Sequence, residues 1–200
     1  IGGFRIEKNS IRNSLLAYKK GDKFYSNFVD KYRLVPLGEK IPIIFSRFLN
    51  LSSLGGIEPG NQKRYFEWEN SPPFAAIICY EITDGLKIQN AVQDGSKFIL
   101  AIANLDPYPS RIFNQYLSLV RMRSIENNID TVIASNTGPS GLIRNDGRID
   151  KLMESNKEDN EVVYTNLLNK KTFYTQYWIW PLIITFISLS IYIKFFEDIK

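Results

Sequence analysis

The chain has no histidine and a single cysteine, Cys79. Without an imidazole, Ser-His-Asp and Cys-His devices and His-containing zinc sites cannot be built from this chain. Proton transfer must then use carboxylates, lysines or tyrosines. One cysteine cannot close an internal disulfide, so Cys79 is expected as a free thiol. Internal repeats, low-complexity tracts and dense basic runs are also absent. The net charge of +4 is dispersed and the aromatics follow no RNA-binding signature, so nucleic acid is not an expected partner. A mild attraction to anionic lipid fits better. What remains, 200 residues with 44% hydrophobic and 23% charged, is enough for one folded domain with a proper core.

Along the chain, Ile1–Lys8 and Asn13–Tyr18 read as two short strands of a hairpin, with a turn at Gly21-Asp22. Ile41–Leu51 is predicted as a helix after Pro42, and Leu54–Gly60 as a glycine-rich loop. Tyr65–Trp68 suits a strand. Phe74–Cys79 is a continuous apolar run of the kind a strand buried on both faces requires. Gly85–Asp94 then has the spacing of a helix and Lys97–Ala103 that of a second buried strand, which together predict a βαβ crossover. Phe113–Asn127 is a further helix, and Thr131–Ser135 and Gly141–Ile143 are further strands. Asn145-Asp146-Gly147 is a hairpin turn, Glu154–Glu161 a solvated loop, and Glu161–Leu167 the last strand.

Long uncharged runs are missing until the C-terminus. Thr172–Ile193 carries no charge and matches the roughly 20 residues that cross a bilayer as a helix. Tyr174, Tyr177, Trp178 and Trp180 cluster at one end as an aromatic belt would, so one transmembrane helix is predicted. Lys170 and Lys171 before it and Lys194 and Lys200 after it leave its orientation open. The domain plan is 1–170 for the α/β domain, 172–193 for the membrane helix and 194–200 for a tail. Because the first residue is Ile1, the chain is expected to be the later part of a longer protein.

Chemistry centres on Cys79-Tyr80-Glu81, at the carboxyl end of a buried strand, where open α/β sheets place their ligands. Taken alone, a cysteine after apolar residues reads more readily as an inert buried thiol than as a nucleophile. Lys31 and Glu39 taken alone read as a surface ion pair.

Four segments change that reading. Lys31-Tyr32-Arg33-Leu34-Val35-Pro36-Leu37-Gly38-Glu39-Lys40-Ile41-Pro42 resembles the Lys…Leu-Val-Pro-Phe-Gly-Glu…Pro signature of the apolipoprotein N-acyltransferase family, within the nitrilase superfamily. Ile78-Cys79-Tyr80-Glu81 resembles that family's Cys-Tyr-Glu nucleophile segment. Val120–Glu126 is similar to its Ala-Arg-Met-Arg-Ala-Leu-Glu helix motif, and Asn136-Thr137-Gly138-Pro139-Ser140 to its Asn-Thr-Gly-x-Ser turn.

The resemblance implies a partial nitrilase-like αββα sandwich, lacking its N-terminal portion, followed by one C-terminal transmembrane helix. It implies an acyltransferase with no cofactor and no metal, moving a fatty acyl group from a glycerophospholipid to the N-terminal amine of a diacylglyceryl-modified lipoprotein. The bacterial cytoplasmic membrane is the implied location, with the domain on its extracytoplasmic side. Cys79 is the implied nucleophile, Lys31 the oxyanion stabiliser that also favours thiolate, and Glu39 the carboxylate that orients Lys31. Tyr80, Glu81 and Asn104 are the implied substrate-binding residues.

Two stretches depart from the family pattern. No Pro-Glu strand motif precedes Lys31, since Glu7 sits in Ile6-Glu7-Lys8, so the general base is expected upstream of Ile1. Ala103–Tyr108 replaces a family Ser-Asn-Asp-x-Trp-Phe-Gly loop, keeping Asn104 and offering Tyr108 as the aromatic. Arg121 and Arg123 read as structural charges rather than substrate contacts. A nitrilase-type amidohydrolase, with water as acceptor, and a non-catalytic binding module of the same fold remain as alternatives.

Overall fold

The computed structural model describes residues 1–8, 10–36, 38–39, 57–167, 170–177 and 179–197. The predicted Ile41–Leu51 helix and the first half of the glycine-rich loop lie outside them.

Two sheets face each other. Strands β1 (Gly2–Glu7), β2 (Ser10–Ala17) and β3 (Asn27–Asp30) form a three-stranded antiparallel sheet in chain order. The larger sheet has six strands in the order β4 (Tyr65–Phe66), β5 (Phe74–Ile78), β6 (Phe98–Ala103), β7 (Thr131–Ser135), β8 (Ser140–Ile143) and β9 (Ile149–Met153). Its centre, β5 to β7, is parallel, with Ile77 beside Ala101 and Ala101 beside Ile133, and both flanks are antiparallel. Helix α1 (Gly85–Gln93) joins β5 to β6, and helix α2 (Ser110–Asn127) joins β6 to β7.

The five residues of β5 are all buried, and their alternation splits the core in two. Phe74, Ala76 and Ile78 face Leu15, Ala17 and Val29 of the small sheet, while Ala75 and Ile77 face Ile88 and Ala91 of α1 and Tyr116 and Val120 of α2. Helices, large sheet and small sheet thus make three layers. No helix among the described residues covers the outer face of the small sheet, so the fourth layer of the expected sandwich is not among them.

Two expectations are corrected. Glu161–Leu167 forms no strand. Its backbone is held by side chains instead, with Arg144 Nη1 donating to Tyr164 O at 2.9 Å and Asn166 N–H donating to Asp130 Oδ2 at 2.8 Å. The edge position belongs to β9, which follows β8 through the predicted Asp-Gly turn; Gly147 adopts φ 80° there. An exposed edge strand buries almost nothing, so periodicity could not reveal it.

The apolar C-terminal run is not one helix. Helix α3 (Phe173–Tyr177) ends before helix α4 (Trp180–Glu197) begins. α3 belongs to the domain: Gln89 Nε2 donates to Tyr174 O at 3.1 Å and Thr175 O at 2.9 Å, and Thr175 is fully buried. Pro181, the second residue of α4, lacks an N–H, which the first turn of a helix tolerates. α4 has 18 residues, about 27 Å at 1.5 Å per residue. No helix among the described residues is long and apolar enough to cross a membrane.

Candidate active site

β5 ends at Ile78 and the chain enters a 3-10 turn at Cys79–Thr83. Cys79 itself adopts φ 52°, a left-handed conformation that costs a non-glycine residue about 1–2 kcal/mol. The kink turns the thiol off the strand axis at the carboxyl edge of the parallel sheet.

Glu81 holds the kink from inside. Its side chain is fully buried, and it accepts Ile78 N–H at 2.9 Å, Tyr32 N–H at 2.7 Å and both oxygens' bonds from Arg64 Nη1 at 3.0 and 3.1 Å. Burial pushes this carboxyl up, against the pull of Arg64 and of the backbone N–H groups. Glu81, implied as a substrate-binding residue, is therefore turned into the protein. The Tyr32 contact ties the residue after Lys31 to the residue two beyond Cys79. Asp84 adds a second tie: it accepts Tyr32 Oη–H at 2.7 Å, pairs with Arg33 at 3.3 Å and caps α1 through Lys87 N–H at 3.3 Å. Arg33 also lies 5.4 Å from the Tyr80 ring centroid.

Lys31 follows β3 directly and is 1% exposed, which rules out the surface ion pair. Its ammonium donates to both oxygens of Glu39, at 2.8 and 2.6 Å. Glu39 also accepts Asn13 Nδ2–H at 3.1 Å and Val35 N–H at 2.7 Å. Burial works against the charge on Glu39, but Lys31, Val35 and Asn13 together hold its carboxyl below the ordinary range. Gly60 makes room at this point. Its N–H donates to Lys31 O at 2.8 Å, and a Cβ there would stand 2.5 Å from Asp30 Cβ.

Lys31 and Glu39 both act electrostatically on Cys79. Burial raises the thiol, the Lys31 charge lowers it, Glu39 and Glu81 raise it, and the balance is upward. The expected pull of Lys31 toward thiolate is present in direction, yet desolvation outweighs it, and the resting sulfur is protonated at neutral pH. Tyr108 stands near enough for Cys79 and Glu39 to add to the desolvation that raises its phenol.

Asn104 follows β6 and interlocks with Asn136, which follows β7. Asn136 Nδ2 donates to Asn104 Oδ1 at 2.7 Å while Asn136 Oδ1 accepts Leu105 N–H at 3.1 Å. Both lie at the same sheet edge as Cys79. The two α2 arginines are structural, as expected. Arg123 is buried and its Nε donates to Ile82 O at 3.0 Å, bracing the Cys79 turn from behind, and Arg121 Nε donates to Gly147 O at 2.8 Å.

Sequence reasoning missed Arg64, Asn13 and Asp84. Asp84 was legible as a helix cap before Gly85. Arg64 and Asn13 sit in unremarkable polar settings, and only the fold joins them to the site. No group of three or more Cys, Asp or Glu side chains among the described residues could hold a metal ion.

No family model matches the chain. The chain is 55% identical over 203 residues to the apolipoprotein N-acyltransferase of Prochlorococcus marinus subsp. pastoris, covering 98% of this chain and 40% of that protein. It is 41% identical over 200 residues to the enzyme of the same name from a second Prochlorococcus marinus strain, again covering 40% of the relative. The chain thus spans about two fifths of the length of these curated relatives. Among solved structures, a nitrilase-superfamily member from Saccharomyces cerevisiae superposes with a TM-score of 0.57 at 14% identity, over 74% of this chain and 51% of that one. A carbon-nitrogen hydrolase from Helicobacter pylori superposes with a TM-score of 0.60 at 12% identity, over 78% of this chain and 58% of that one. At such identities the structural likeness establishes the nitrilase-like α/β fold, while the sequence relatives establish the lineage: the chain belongs to the apolipoprotein N-acyltransferase family.

Proposed function

We propose that this chain carries the thiol site of an acyltransferase that moves a fatty acyl group from a glycerophospholipid, through Cys79, to the N-terminal amine of a diacylglyceryl-cysteine lipoprotein. The observation that carries the reading is the buried Lys31–Glu39 pair whose charges act on a thiol at a left-handed kink. A protonated, desolvated sulfur is stable until substrate arrives.

In the first step the sulfur attacks the ester carbonyl carbon as a base removes its proton. The Lys31 ammonium faces the negative charge that grows on the carbonyl oxygen, where a preorganised donor contributes most. The C–O bond then breaks, the lysophospholipid oxygen takes a proton, and an acyl thioester remains on Cys79. In the second step the lipoprotein amine attacks that thioester, the C–S bond breaks, and the amine loses a proton as the thiol is restored. Glu39 is committed to Lys31 and Glu81 to Arg64, so the proposal assigns the proton to a base outside the described residues.

Both substrates are lipids held in a bilayer. α4 suits that setting: Leu182 and Phe186 on one side of the helix and Ile184 and Ile191 on the opposite side are each more than half exposed. A helix apolar all round needs an apolar surround. The proposal places α4 in lipid at the bacterial cytoplasmic membrane, with the domain on the extracytoplasmic side.

The test is mass spectrometry of the full-length protein after incubation with a phospholipid of known acyl chain. An acyl thioester on Cys79 that disappears on adding a diacylglyceryl peptide is the expected result. Free fatty acid without transfer points instead to an amidohydrolase-like hydrolase. Absence of any adduct leaves a non-catalytic module and overturns the proposal.

A further inference from the structure

Arg64 lies at the entrance to β4 and is 1% exposed. Its main-chain carbonyl accepts Ala76 N–H of β5 at 2.8 Å. Its side chain reaches the other way: Nη1 binds both oxygens of Glu81, and Nη2 donates to Asp30 O at 3.0 Å and to Asn61 O at 2.5 Å. The guanidinium also stacks 4.9 Å from the Tyr32 ring centroid. One side chain therefore grips the carbonyl immediately before Lys31, the ring immediately after it, and the carboxylate two residues beyond Cys79.

Stability alone is a poor account of this arrangement. A fully buried ion pair loses more solvation than it regains unless every group is satisfied, and an apolar pair of similar size is often as stable or more so. Here Arg64 Nε is buried with no hydrogen-bond partner among the described residues, which adds a further penalty. What a rigid guanidinium fork supplies and an apolar pair cannot is a fixed separation between two strands.

We propose that Arg64 is a positioning residue of the thiol site, setting where the Lys31 ammonium stands relative to the Cys79 sulfur by clamping the end of β3 to the turn after β5. This deepens the reading above and rests on it only in taking Cys79 as the reacting atom.

Alkylation of Cys79 by iodoacetamide provides a direct test. Its pH dependence, read in the full-length protein at the Cys79 peptide by mass spectrometry, reports this thiol, and among the described residues the charged or titratable groups that bear on it are Lys31, Glu39, Glu81, Tyr108 and Tyr116. In Arg64→Gln the alkylation midpoint moves up by about one pH unit, so the rate near neutrality falls about tenfold. Arg64→Lys keeps the charge but loses the fork, and shows a smaller shift in the same direction. Lys31→Met shifts the midpoint upward by itself, and adding Arg64→Gln to it changes little further, because the arginine acts through the lysine.

Profiles for Arg64→Gln and Arg64→Lys that superimpose on the parent overturn the proposal, as does full additivity with Lys31→Met. Circular dichroism and thermal unfolding accompany each variant. If Arg64→Gln does not fold, Arg64→Lys decides; if neither folds, Arg64 is structural and the proposal falls. Alkylation needs no acyl donor, so a normal Arg64 effect without acyl transfer would sink the functional proposal and leave this one standing.

Discussion

Two cation–carboxylate pairs lie side by side beneath the sheet edge, and they are built differently. Arg64–Glu81 is closed: both side chains are fully buried, and their hydrogen bonds run to β3, to the turn after β5 and to the loop before β4. Lys31–Glu39 is half open: Lys31 is 1% exposed but Glu39 is 16% exposed, and both of the ammonium's bonds go to one carboxylate. An ammonium has three donors on a flexible stem. The closed pair is a frame and the open pair is a charge that can be redirected within it. The proposed mechanism draws on both, since a donor counts only if its place is set before the charge develops.

The largest effect that would sharpen this contrast is kinetic. Lys31→Met is expected to slow acyl-adduct formation on Cys79 by about 10²–10³, read by single-turnover mass spectrometry, while changing unfolding far less than its kinetics. Next comes stability. Arg64→Met strands a buried carboxylate and is expected to cost about 3–5 kcal/mol in urea unfolding. Glu39→Gln, which keeps much of the hydrogen bonding at a partly hydrated site, is expected to cost only about 1–2 kcal/mol. Equal costs would erase the distinction between the pairs.

The pH response should separate them by sign. Glu39 has a folded-state pKa below its ordinary 4.5, so its contribution is full above that value and is lost as pH falls through the lower, folded one. Glu81 is raised above 4.5, so its contribution is full below that value and is lost as pH rises through the folded one. Urea midpoints between pH 3 and pH 7, on the order of one unit apart, should therefore show Glu39→Gln blunting the acid loss and Glu81→Gln doing relatively more harm in acid than near neutrality. A common slope for both variants would contradict the assignment. The smallest effect concerns the neighbouring loops: Asn136→Ala removes three side-chain hydrogen bonds at an exposed site and is expected to cost about 0.5–1.5 kcal/mol.

Much of this was legible beforehand. β5 announced itself as an unbroken apolar run because both of its faces are covered. α1, β6, α2 and β7 followed from periodicity. The hairpin of β1 and β2 and the Asp-Gly turn before β9 followed from alternation and turn chemistry. What failed has more than one cause, and β3 was not anticipated at all. β9 buries almost nothing, and Glu161–Leu167 alternates without a ladder partner, so in both places local pattern and sheet membership part company. At the C-terminus composition described one apolar run, but hydrogen bonds from α1 hold Thr172–Tyr177 to the domain and leave α4 to start at Trp180.

By itself, then, the amino-acid order determined which chemistry these 200 residues can supply: no imidazole, one thiol, and a lysine and glutamate at a recognisable spacing. It also determined the strands that bring the thiol to a sheet edge, since hydrophobic burial is local and periodic. Only the tertiary structure decided that Glu81 points inward, that Arg64 belongs to the site and that desolvation outweighs Lys31 at the sulfur. Those outcomes depend on burial and on charges brought together from distant segments, and neither quantity exists until the chain has folded.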